Sequence, residues 1–142
     1  VTPQGVGIFA RGFALPMVPQ RVLLVDDQPA ALHFLRSGLL HAWPSCQVDL
    51  AGNATQAEPL IRRHRYDAMI TDYHLGDGTG LDLARLARRR LPLATIVLTS
   101  ASPYALADAE IEARECCIGL LPKPIEFSRL LQSLQVDPVV VP

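Results

Sequence analysis

Five short apolar runs, each followed by a segment with helical periodicity, constrain this chain more than any other feature of its sequence. The runs are RVLLVD (21–26), QVDLA (47–51), DAMIT (67–71), ATIVLT (94–99) and IGLLP (118–122). RVLLVD is continuous rather than alternating, so it reads as a strand buried on both faces. Pro29 suits the first turn of a helix, with Leu32, Leu35, Leu39, Leu40 and Trp43 as its apolar stripe and Pro44 as its stop. Thr55 and Glu58 are spaced as a capping box, which leaves Pro59 in the first turn of a second helix. A start at Asn53 would instead put Pro59 where it kinks that helix. A third helix is expected from Leu81 to Arg90, and a fourth from the cap pair Ser102 and Pro103 to about Arg114. IEFSRLLQSL (125–134) supplies the last. Strict alternation of strand and helix predicts βαβ units and a doubly wound α/β domain with a five-stranded parallel sheet.

The composition allows such a core and excludes several classes of partner. With 142 residues, 49% hydrophobic and 19% charged, the chain suits one packed domain. A net charge of −1 gives no field to recruit nucleic acid or an acidic membrane. RRHR (62–65) and RRR (88–90) each end an amphipathic segment, where cations favour the helix C-terminus, so they read as solvated faces. Cys46, Cys116 and Cys117 form neither a disulfide framework nor a zinc pattern, which fits a reduced, cytoplasmic setting, and Cys116 and Cys117 read as inert packing thiols. No apolar run approaches 18 residues, so no membrane insertion is expected. Residues 1–20, broken by three glycines and three prolines, read as an extension or linker rather than a signal peptide. The folded domain is expected over 21–135, followed by a tail over 136–142.

In sheets of this kind ligands bind outside the carboxyl ends of the strands. Asp26 and Asp27 end the first run, Asp72 ends the third, Thr99 and Ser100 the fourth, and Lys123 follows the fifth. Two carboxylates 4 Å apart repel by about 4 kcal/mol at an effective dielectric of 20, so a triple cluster calls for a cation. All-oxygen ligation favours Mg²⁺ over zinc or copper. One strand-end Asp alone is ordinarily a cap or turn residue; the whole set at one edge is not. The loop TDYHLGDGTGLD (71–82) lacks G-x-x-x-x-G-K-[ST], so it is no phosphate cradle. Gly76, Gly78 and Gly80 are expected to permit positive φ in a sharp exit from the third strand.

VLLVDDQP, YDAMITDYHLGDGTGLDL, TIVLTSA and LLPKPI, in this order and spacing, resemble the receiver domain of two-component response regulators over about Arg21 to Leu134. The resemblance implies a (βα)5 flavodoxin-like receiver fold. It implies Asp72 as phosphoacceptor, and Asp26, Asp27, Asp72 and the backbone carbonyl of His74 as Mg²⁺ ligands. Thr99 and Lys123 would contact the phosphoryl group. Ser100 stands where the family usually carries Ala or Gly and competes with Thr99. Leu120 occupies the strand-five switch position that is usually Tyr or Phe, and Tyr104 is a substitute for the missing ring. The stretch near SASPY is about two residues longer than usual, by the resemblance. The LGDGTG form is similar to receiver modules carried by hybrid sensor kinases.

The expected function is therefore that of a Mg²⁺-dependent phosphoacceptor, not a metabolic enzyme. It takes a phosphoryl group from a phosphohistidine on a histidine kinase or histidine phosphotransfer domain, with no direct nucleic-acid binding; the sequence leaves the oligomeric state open. Two alternatives remain. One is a phosphorylation-independent binding module of the same fold. The other is an aspartate-nucleophile phosphohydrolase, against which VDDQ lacks the D-x-D spacing and the chain offers no cap domain.

Overall fold

The structure, a computed structural model, describes residues 18–135. The expected tail over 136–142 and all but the last three residues of the expected 1–20 extension lie outside the described residues. Five strands and five helices alternate: β1 (Arg21–Val25), α1 (Pro29–Ala42), β2 (Gln47–Ala51), α2 (Ala54–Arg63), β3 (Ala68–Asp72), α3 (Gly80–Arg90), β4 (Thr95–Ser100), α4 (Pro103–Glu115), β5 (Ile118–Pro122) and α5 (Phe127–Leu134). The five strands pair in parallel in one sheet, in the order β2-β1-β3-β4-β5. This is the doubly wound α/β architecture that the sequence predicts, with strand boundaries shifted by one residue at β1, β3 and β4.

Because side chains alternate across a strand, the sheet divides its apolar residues between two cores. Leu23, Val25, Met69, Ile96 and Leu98 face one side with Ala57 and Ile61 of α2, Leu83, Ala84 and Ala87 of α3, and Ala109 and Ala113 of α4. Val22, Leu24, Ile70, Val97 and Leu121 face the other side with Leu32, Leu35 and Leu39 of α1 and Leu130 and Leu134 of α5. The strand order reverses between β1 and β3, so their carboxyl ends border the crevice where such sheets bind ligands.

Helix α2 departs from the capping box at Thr55 and Glu58. Asn53 is its N-cap and accepts from the Gln56 amide, while Pro59 lies inside the helix. Pro59 has no amide hydrogen, so one bond of the helical ladder is absent there. Asn53 and Thr55 are both competent caps; the amides of Ala54 and Thr55 find their acceptor on a distant loop, which no local spacing reveals.

Arg88 is not part of a solvated face. Its guanidinium donates to the carbonyls of Cys116 (2.9 Å) and Cys117 (3.0 Å), and to those of Pro92 (3.0 Å) and Ala94 (2.7 Å). It thus clamps the turn after α4 to the turn after α3, satisfying carbonyls that have no helical partner. Cys117 in that turn is exposed, so its thiol does not pack into the core as expected, and its φ is 55°. Arg88→Ala is expected to cost about 2 kcal/mol, read as a lower urea midpoint. Arg88→Lys is expected to recover little, because one ammonium cannot reach both turns.

Candidate functional site

The continuous apolar runs of β1 and β3 end on acids, and parallel pairing of the two strands sets those acids side by side. Asp26, Asp27 and Asp72 each offer a carboxylate oxygen, all within 4.8 Å of one another. Asp26 is 2% exposed and Asp72 9%, whereas Asp27 faces solvent. The Gln28 amide donates to Asp26 Oδ1 at 2.9 Å, which fixes that carboxylate against the start of α1.

Lys123 enters from the loop after β5. Its amide donates to the Ser100 carbonyl at 2.9 Å, tying the loop to the end of β4. Its Nζ then reaches Asp26 Oδ2 at 2.8 Å and Asp72 Oδ1 at 3.5 Å. The Lys123–Pro124 peptide bond is cis. Burial pushes the Asp72 carboxyl above its usual range; the charge of Lys123 opposes this and that of Asp26 adds to it. Burial also works against the Lys123 ammonium, yet its hydrogen bond to Asp26 and the two carboxylate charges hold its pKa raised.

Three carboxylates against one ammonium leave two negative charges uncompensated. That excess, the hard oxygen donors and the exposure of Asp27 fit a divalent cation such as Mg²⁺ or Ca²⁺. The donor set contains no thiolate or imidazole, so it does not suit zinc or copper.

The other residues named from the sequence lie around this cluster in different ways. Thr99 is buried and stands opposite Asp72 in the β3–β4 register. Its Oγ1 donates to the Thr71 carbonyl at 3.4 Å, a long contact that leaves the hydroxyl loosely held. The Ser100 hydroxyl is already engaged, accepting from the Ser102 amide at 3.0 Å. His74 is exposed and pairs with Thr79 across the loop after β3. Leu120 is half-buried on β5 opposite Leu98, packed against the core on the α2–α4 side rather than joined to the carboxylates. Tyr104 is 82% exposed in the first turn of α4.

The glycines of the loop do not share one task. Gly76 has φ 78°, the left-handed region that the sequence reading required. Gly78 is nearly extended at 159°. Gly80 has no positive φ and is needed for space: a Cβ there would overlap the Asp72 carbonyl oxygen, with its carbon at 2.8 Å and Leu98 Cδ1 at 2.9 Å. Its amide also donates to the Tyr73 carbonyl at 2.7 Å, so α3 begins directly against the end of β3.

Asp77 was not singled out from the sequence. It accepts from the amides of Ala54 and Thr55, both at 2.9 Å, and from Thr55 Oγ1 at 2.7 Å. The Thr55 hydroxyl and the two amides hold its carboxyl down at about 2 from 3.8. A depressed pKa means that the tie contributes fully above 3.8 and is lost as pH falls toward 2. An Asp between two glycines reads as a turn, and nothing in its neighbours points to α2.

Among the described residues, no helix is long and apolar enough to cross a membrane. The model of the response regulator receiver domain matches residues 22–135. The response regulator protein PilR of Pseudomonas aeruginosa is 31% identical over 115 residues, covering 80% of this chain and 25% of PilR. The chain spans 44% and 51% of two further curated relatives, LytR of Staphylococcus saprophyticus and DpiA of Escherichia coli. A Burkholderia pseudomallei response regulator structure, which holds a phosphorylated aspartic acid, a calcium ion and citrate, superposes with a TM-score of 0.71 at 25% identity. It covers 82% of this chain and 66% of that one. A signal receiver domain of an HD domain-containing protein from Pseudomonas fluorescens gives a TM-score of 0.70 at 30% identity, covering 83% and 92%. With an acidic cluster at the switch point of a 2-1-3-4-5 sheet and a family match over most of its length, the chain belongs to the response regulator receiver domain family of two-component systems.

Proposed function

We propose that this chain is a phosphoacceptor domain that receives its phosphoryl group on Asp72. The observation that carries the reading is the cluster of three carboxylates within 4.8 Å beside one ammonium. In the proposed step an Asp72 Oδ attacks phosphorus, and a P–O bond forms as the P–N bond to a donor imidazole breaks. The imidazole leaves with the bonding electron pair and takes up a proton. The donor class is a phosphohistidine on a histidine kinase or a histidine phosphotransfer domain. Phosphoryl transfer depends chiefly on in-line placement and charge neutralisation, and the residues divide that work. Asp26 and Asp27, with Asp72 and the His74 carbonyl, would hold Mg²⁺, which when bound offsets the charge of the incoming phosphoryl oxygens. Lys123 pairs with one phosphoryl oxygen in exchange for its contact with Asp72. Thr99 donates to another; its loosely held hydroxyl favours it over Ser100, whose oxygen serves the α4 turn.

The domain so described runs from 21 to 135, works in the cytoplasm and touches no nucleic acid itself. It is a switch rather than a metabolic enzyme, with self-catalysed transfer and slow hydrolysis. Leu120 has no ring to swing or phenol to donate, so phosphorylation changes residues 99–106 more than α5. Acetyl phosphate with Mg²⁺ tests the reading. The expected result is uptake of one phosphoryl group per chain, stable to acid and labile to base, and dependent on Mg²⁺. Sustained release of phosphate from small phosphomonoesters over many turnovers would identify a phosphohydrolase instead. No uptake from acetyl phosphate, phosphoramidate or a phosphohistidine donor would leave a binding module.

A further inference from the structure

The loop after β3 is a small hairpin whose base and tip have different anchors. At its base His74 pairs with Thr79, and Leu75 N donates to the Gly78 carbonyl at 3.3 Å. Leu75 is 2% exposed and pins one arm into the core. Gly76 and Asp77 form the tip, and the Asp77 carboxylate crosses to the first two amides of α2 and the Thr55 hydroxyl. Those amides have no intrahelical acceptor, and the helix end is positive, so the carboxylate is well matched to them. Yet α2 does not depend on Asp77 for a cap of its own, because Asn53 Oδ1 already accepts from the Gln56 amide at 2.8 Å. A second contact strengthens the local cap, with Gln56 Oε1 accepting from the Gly52 amide at 2.7 Å. The long-range tie therefore meets the two amides that the local cap leaves over, and at the same time restrains the hairpin.

We propose that Asp77 is a positioning residue that holds the His74 carbonyl toward the acidic cluster and so couples metal occupancy to α2. The inference rests on the functional reading above, in which that carbonyl is a metal ligand. His74 lies three residues before Asp77, on the arm that leads into the tip. Leu75 keeps the arm seated, so what release of the tip loosens is the peptide between His74 and Leu75, whose amide donates at 3.3 Å to the carbonyl of Gly78, the neighbour of Asp77. A carbonyl that must align with three carboxylates then has to be ordered anew at each binding event, and affinity falls. By linkage, the same coupling runs in reverse: a cation held in the cluster must tighten the bonds from Ala54 and Thr55 to Asp77.

The test is a pair of measurements on the wild-type chain and on Asp77→Ala and Asp77→Asn, by NMR, with Mg²⁺ alone as the probe. In the wild type, saturating Mg²⁺ is expected to slow amide exchange at Ala54 and Thr55 about fivefold. The Mg²⁺ midpoint, read from amide shifts around Asp26, Asp27 and Asp72, is expected to weaken by a similar factor in Asp77→Ala. Asp77→Asn keeps one acceptor oxygen and is expected to fall between; it also serves if the alanine variant folds poorly. An unchanged midpoint in both variants, together with exchange at Ala54 and Thr55 indifferent to Mg²⁺, would reduce Asp77 to a helix cap and overturn the inference. A wild-type chain with no Mg²⁺-dependent shifts around the three carboxylates would overturn the metal site itself. The first failure is read where the wild type still shows Mg²⁺-dependent shifts and the second where it shows none, so the two are distinguished.

Discussion

Gly80→Ala is expected to be among the most destabilising single substitutions in this domain, at about 3 kcal/mol. The added methyl has nowhere to go. It would overlap the backbone carbonyl of Asp72 and approach Leu98 Cδ1 at 2.9 Å, and both belong to central strands of the sheet. A flexible side chain can turn away from an intruding atom, but a carbonyl inside a parallel ladder cannot move without its strand. Either α3 lifts off β3, exposing Leu81 and Ala84, or the end of β3 shifts and takes Asp72 with it. Urea denaturation of the variant checks the size of the loss. A variant within about 0.5 kcal/mol of the wild type, the range of a neutral surface change, would mean that the close approach is not obligatory.

Lys123→Ala is expected to show an effect of similar size that depends on Mg²⁺. Lys123 neutralises Asp26, which is almost wholly buried, at 2.8 Å, and lies 3.5 Å from Asp72. Removing one partner of a buried pair leaves an uncompensated charge and typically costs about 3 kcal/mol. Here the loss has a remedy, because a divalent cation held by the same carboxylates restores the missing positive charge. The gap to the wild type is therefore expected to be widest in EDTA and to narrow in saturating Mg²⁺. Lys123→Met, which keeps the stem and removes the charge, separates packing from electrostatics. Since the ammonium's pKa is raised in the fold, its contribution is complete below 10.5 and is lost only as pH rises past the folded value. Phosphoryl uptake is expected to drop in both variants while Mg²⁺ binding persists. Stability equally reduced with and without Mg²⁺ would show that the cluster does not hold the metal.

Much of this arrangement was legible in the chain because the local signals agree with one another. Continuous apolar runs mark strands buried on both faces, and caps such as Ser102–Pro103 fall where the helices begin. The rule that ligands bind at the carboxyl edge then sufficed to bring Asp26, Asp27, Asp72 and Lys123 together. What could not be read rests on contacts between distant segments. Asn53 caps α2, but the Ala54 and Thr55 amides are met by Asp77, more than twenty residues away, so spacing alone left Thr55–Glu58 and Asn53 both open as caps. Gly80 looked like its neighbours Gly76 and Gly78, yet it is required by the proximity of Asp72 rather than by its own φ. Arg88 sits in a run of three arginines, and only the packing of two turns around it separates it from Arg89, which is exposed. Thr99 and Ser100 were rivals by position, and their hydroxyls differ only in what they already bond.

The central claim is that one residue of this cluster carries the phosphoryl group, and locating that group tests it most directly. The chain is incubated with phosphoramidate and Mg²⁺, and peptides are mapped by tandem mass spectrometry at low pH, where an acyl phosphate survives. The account predicts a single base-labile phosphoryl group on Asp72, absent without Mg²⁺ and absent from Asp72→Asn. A group on any other residue, or undiminished labelling of Asp72→Asn, would contradict it.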